Sequence, residues 1–136
     1  MYLNYINERE KLIFLEIATN VAKANGQIDD DEQTFLDHYA EQLNIKDAKN
    51  IQFQGLSLKE AVNKIESEES KKAIFIECIA LSFADEIYHE EQKEIIHDLR
   101  NAFGFSFEFY HDVKNWVIKV NELYKKGLKL VDTEYS

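Results

Sequence analysis

Proline is absent from this 136-residue chain, and glycine occurs only at Gly26, Gly55, Gly104 and Gly127. Closely spaced β-hairpins draw their turns from these residues, so a hairpin-rich fold is excluded and an all-α fold is expected. One cysteine, Cys78, can form neither an internal disulfide nor a thiolate zinc site. It falls in an apolar run, where a free thiol packs as core, and a reducing cytoplasm is the expected compartment. No apolar run approaches the ~20 residues that span a bilayer, because Glu16, Lys23 and Glu77 interrupt the best candidates. Direct membrane insertion is not expected. The opening residues, with Glu8, Arg9, Glu10 and Lys11, also lack the basic-then-apolar pattern of a secretory leader. A Gly-rich phosphate loop and a nucleophile-elbow serine are both missing, so no catalytic activity is expected.

What is present suits one packed domain over residues 1–136: 45% of the residues are hydrophobic, enough for a core. The 26 acidic against 16 basic residues give a formal charge of −10, which repels phosphate backbones and anionic lipid surfaces. Nucleic acid is excluded as a partner. An acidic surface suits divalent cations or a protein partner.

Periodicity predicts six or seven helices. The segment from about Tyr5 to Ala24 is apolar almost all round and reads as a buried helix, as does the segment from about Lys71 to Ala84. Leu15, Ile17, Val21, Ile74, Phe75, Ile79 and Leu81 are therefore expected to line a single core. Asp29 with Glu32, and Ser57 with Glu60, have the spacing of capping boxes. Phe35, Leu36, Tyr39, Ala40 and Leu43 form one amphipathic stripe; Ile95, Ile96, Leu99 and Phe103 form another, ending at Gly104. Lys46 to Gln54 reads as a brief helix or loop, Ser67 to Ser70 as a break, and about 107–130 as a last long helix.

The order of these elements suggests two pseudo-repeated halves, about 5–45 and 68–105. A shift of 60 residues pairs Leu36 with Ile96 and Tyr39 with Leu99; around the acidic turn a shift of 59 pairs Ile28 with Ile87 and Glu32 with Glu91. The stretch Ala24-Asn25-Gly26-Gln27-Ile28-Asp29-Asp30-Asp31-Glu32 resembles the Ala-Asp-Gly-x-Ile-x-x-x-Glu motif of the tellurite-resistance TerB-like family, and Asp85-Glu86-Ile87-Tyr88-His89-Glu90-Glu91 resembles its second copy. The likeness runs over roughly Leu12 to Gly127. It implies a helical fold of two related halves, a role in metal-linked stress response, and an acidic site where the two motifs meet. Asn25 stands where the family has aspartate, and the second copy has no glycine.

Carried onto this chain, the candidate metal ligands are Asn25, Glu32, Asp85 and Glu91, oxygen donors suited to a hard divalent cation such as calcium. A plainer reading makes Glu32 a capping partner of Asp29, with neighbouring acids favouring a helix N-terminus. The same stretch fits only the second half of an EF-hand loop, since Val21 and Lys23 would fall at ligand positions. Glu86 with His89, Glu94 with His97, and Glu108 with His111 echo di-iron bundles. The buried stripe of the helix leaves Glu94 and His97 towards solvent, so solvated faces explain these pairs better. Glu16 and Glu77 each interrupt an apolar helix and are expected at its one wet edge. The aromatics Phe103, Phe105, Phe107, Phe109, Tyr110 and Trp116 exceed what one short turn can bury, so part of them is expected to form a contact patch for a protein partner. A purely protein-binding adaptor or inhibitor-like domain is thus the alternative to the metal-site reading.

Overall fold

Asp29 and Ser57 open helices as their spacing predicts. Asp29 Oδ1 accepts from the Glu32 amide at 2.7 Å while Glu32 Oε1 accepts from the Asp29 amide at 3.1 Å, and Ser57 with Glu60 repeats the exchange. The computed structural model describes residues 2–84 and 88–134. Its six α-helices are α1 (Lys11–Ala22), α2 (Asp30–Gln42), α3 (Leu58–Asn63), α4 (Glu68–Ser82), α5 (Glu90–Phe103) and α6 (Phe107–Asp132), with short 3-10 turns at Leu3–Tyr5 and Ala48–Asn50. No strand occurs among the described residues, and the expected all-α class is found.

Two helix starts differ from expectation. The first helix begins at Lys11 instead of near Tyr5, because the chain is extended at Ile6 after the 3-10 turn, and Asn7 and Glu10 then exchange side chain-to-backbone bonds (3.1 and 3.3 Å) in the reciprocal pattern of a capping box. The break expected at Ser67 to Ser70 falls earlier, between Asn63 and Glu68, and α4 starts ahead of Lys71: Ser67 Oγ accepts from the Ser70 amide at 3.0 Å, the geometry of an N-cap. At the other end of the bundle α5 stops at Gly104, whose φ of +78° is a left-handed position open to glycine without a Cβ penalty.

The helices α1 and α4 form the centre, flanked by α2, α3, α5 and the first half of α6. Leu15, Ile17, Val21, Ile74, Phe75, Ile79 and Leu81 are all buried in one cluster, as their patterning predicts. Phe14 meets Tyr39 edge-on at 5.1 Å, tying α1 to α2, and Phe75 contacts Phe105 and Phe109, tying α4 to the start of α6.

Glu16 and Glu77 are buried, which corrects their placement at wet edges. Each serves as an acceptor for chain that forms no helix of its own. Glu16 takes the amides of Gln54 (3.0 Å) and Leu56 (2.8 Å), fastening the irregular segment before α3, and Glu77 takes the amide of Tyr2. Lys11 pairs with Glu8, and Arg100 donates to the Phe105 carbonyl. No described helix is long and apolar enough to cross a membrane.

Ile79 of α4 is wholly buried in the core, so Ile79→Ala should lower unfolding free energy by about 2–5 kcal/mol in urea titration. A loss under about half a kilocalorie, the size of a surface change, would contradict this core.

Candidate functional site

The acidic connection that opens α2 delivers Glu32 to the third helical position, one turn above Leu36 on the buried stripe. Its carboxylate is 1% exposed. Oε1 closes the capping box, and Oε2 accepts from Nε2 of Gln92. Gln92 occupies the same position in α5, the third residue after the His89 cap, and is fully buried. The first turns of two helices therefore meet through a carboxylate and an amide. The N-terminal ends of two helices meet there, and their dipoles make this an environment that favours negative charge. The other side of the Gln92 amide, Oε1, is buried without a hydrogen-bond partner.

Of the four expected ligands, Glu32 alone of those described is buried. Asn25 is exposed and uses Oδ1 to accept from the Gln27 amide at 3.4 Å, a local turn bond. Glu91 is exposed in the first turn of α5. Asp85 lies outside the described residues. Among the described residues no group of three or more His, Cys, Asp or Glu is placed to hold a metal ion. The residue that meets Glu32 is Gln92, which the shift of 59 passes over in favour of Glu91. Extending the 60-residue shift of the stripes one turn back would have found it, since Glu32 and Gln92 are 60 apart.

The two wholly described glutamate–histidine pairs do not converge on a buried site, and their histidines, His97 and His111, both lie against Phe107. Glu94 is exposed, whereas His97 is half-buried, contrary to its expected solvent orientation. Its ring stacks on Phe107 (centroids 5.5 Å apart, planes at 2°) and leans on Tyr110 at 4.5 Å. Burial, then the nearby charges of Arg100 and Lys93, hold its pKa below the ordinary histidine value. Glu108 and His111 are exposed at the start of α6, and Glu86 lies outside the described residues.

The late aromatics do not form the expected contact patch. Phe105 and Phe109 pack against Phe75, Trp116 sits against Tyr2, and only Phe107 of the six is exposed. The exposed apolar surface lies further along. Five of the eight large hydrophobics exposed among the described residues are Leu123, Tyr124, Leu128, Leu130 and Val131, all in the distal half of α6, with Tyr124 at 70% and Val131 at 83%. Beside this helix runs a groove of about 490 Å³ whose floor is Phe35, Phe83 and Ala84 and whose wall is Val120, Tyr124 and Leu128. The stripe is present in the sequence as Val117, Val120, Tyr124, Leu128 and Val131 at helical spacing, but spacing cannot tell that full burial on this helix ends at Val117.

A comparison with known proteins found no matching family model, no similar curated protein and no similar solved structure.

Cys78 is wholly buried and burial pushes its thiol far above the usual range. A thiol reagent such as dithionitrobenzoate should therefore react only at the rate of unfolding, with the full signal released in denaturant. Rapid labelling of the folded protein would mean the thiol is accessible and the α4 packing wrong.

Proposed function

We propose that this chain is a noncatalytic, cytoplasmic TerB-like interaction module that docks a protein partner through the distal face of α6. The observation that carries the reading is the concentration of exposed apolar side chains on Leu123 to Val131, next to a groove with an apolar floor. Isolated exposed hydrophobics are ordinary, but a contiguous stripe rimmed by lysines is the composition of a contact surface. Amphipathic helices are bound in such grooves through side chains at spacings of three, four and seven, the spacing of Val120, Tyr124, Leu128 and Val131. The two-halved TerB-like architecture and the role in stress response come from the motif resemblance and belong to the same proposal. The test is a photo-crosslinking amino acid at position 124 in cells, with Lys59, exposed on α3, as the control position. Discrete adducts are expected at 124 and not at 59, and Leu128→Glu should abolish them. Equal yields at both positions would sink the docking face.

A second reading is favoured by one atom. The unpartnered Oε1 of Gln92 adjoins the buried carboxylate of Glu32, and two oxygens of this kind are ligands for a hard cation. A divalent ion there would use Glu32 and Gln92, with Asp85 the remaining expected ligand. A tenfold excess of calcium over its Kd should then stabilise the protein by about 1.4 kcal/mol, and Gln92→Leu should remove the effect. Absence of binding heat and of any rise in Tm with calcium, magnesium or manganese would leave Glu32 as a helix brace alone.

A further inference from the structure

We infer that the cavity walled by the rings of Tyr2 and Trp116 and the carboxylate of Asp112 binds a methylated ammonium group. The site uses none of the residues Leu123 to Val131, so it stands or falls apart from the docking face.

Buried side chains of α4 hold the aromatic wall in place. Glu77 Oε2 accepts from the Tyr2 amide at 3.5 Å, and Ser70 Oγ donates to the Tyr5 carbonyl at 2.7 Å. Both side chains are buried. These bonds lay the stretch before α1 along α4, and there the Tyr2 ring stands 5.9 Å from Trp116 of α6, centroid to centroid. The rings meet at 46°, so they do not close each other's faces as a stacked pair would. Together with Ile76, Val113 and Asp112 they line a cavity of about 170 Å³. A group seated beside such a pair can lie within the ~6 Å cation–π range of both centroids at once.

Asp112 is the one charged side chain on that wall, and it forms no ion pair among the described residues. A carboxylate beside two aromatic rings selects a cation. The apolar remainder of the wall selects which cation. A bare ammonium is strongly hydrated and has three N–H donors to satisfy, and Ile76 and Val113 offer it no acceptor. A fully methylated ammonium has no donor to leave unpaired, so it enters an apolar recess at lower cost. The formal charge of −10 favours its approach. Pockets for whole small molecules run to ~300–1,000 Å³, so this cavity suits a headgroup. A second recess of about 180 Å³ shares Tyr2 and Ile76 and adds Tyr5, Glu69 and Lys72, which gives the body of the ligand a polar place beside its headgroup.

Trp116 is the only tryptophan in the chain, so its emission reports on the cavity directly. Titration of the purified full chain with choline, at ionic strength held constant with sodium chloride, should give a saturable change with a Kd on the order of millimolar. Dimethylbutanol, the uncharged isostere of choline, should bind at least about tenfold more weakly. Tyr2→Leu keeps the backbone amide that bonds to Glu77 and should erase this preference. Asp112→Asn, at an exposed position, should raise the choline Kd about fivefold with Tm unchanged. Acetylated trimethyllysine amide separates two sources of the group: tighter binding than choline assigns the second recess to a peptide that carries the modification, and equal or weaker binding assigns the site to a free small cation. The inference is overturned if no saturable change occurs, if choline and dimethylbutanol bind equally, or if either variant binds choline as the natural chain does.

Discussion

Four glutamates carried into the interior hold this fold's segments to one another. Glu10 accepts from the backbone of Glu66, Glu16 from Gln54 and Leu56, Glu32 from the Gln92 side chain, and Glu77 from Tyr2. A carboxylate taken out of water is costly unless hydrogen-bonded, so these side chains are tolerated only where donors meet them. Each one joins parts of the chain that are distant in sequence. Bonds from an amide to an ionised oxygen are stronger than neutral ones, which suits them to fixing irregular chain that has no ladder of its own. The stretch between α2 and α3 illustrates the need. It bends through left-handed positions at Asn44 and Asp47 and contains only one short 3-10 turn. Glu16 on the central helix supplies the acceptors that pin its far end.

This dependence explains what could be read from the sequence. Helix identity followed from local terms: the stripe through Leu36, Tyr39 and Leu43, the capping spacing of Asp29 with Glu32, and the left-handed stop at Gly104. All are decided within a few residues, so pattern suffices. The buried glutamates were misread because periodicity assigns an ionisable residue on an apolar helix to a wet edge. Its correct place depends on amides that arrive from another part of the chain. Gln92 was hidden for a related reason. One register step separates it from Glu91, and a turn-based alignment and a stripe-based alignment disagree by that step. Burial follows the stripe.

The same register step decides the chemistry near Glu32. A glutamate at the position of Gln92 would set two carboxylates together in a buried place, where one of them would be driven to take up a proton. Glutamine offers a donor to Glu32 instead and keeps the contact neutral on one side. The result is a brace between the first turns of α2 and α5 that holds without an ion. A cation entering there would compete with the Gln92 N–H for Glu32 Oε2, and the amide would have to turn to present Oε1. Bracing and cation binding would thus exclude one another at this pair of side chains.

A different economy governs α6. Its first half buries Tyr110, Val113 and Val117 against the bundle, and the same stripe continues through Tyr124 and Val131 where no part of the described chain covers it. A helix of 26 residues is about 39 Å long, longer than the helices it packs on, of which α4 has 15 residues. The mismatch in length leaves the apolar stripe with nowhere to go inside one chain. Folding of the core does not require that extension, since the central cluster is complete without any residue beyond Val117. The distal stripe is therefore free of the packing constraints that shape the rest of the molecule, and its apolar character asks for an explanation outside the single chain.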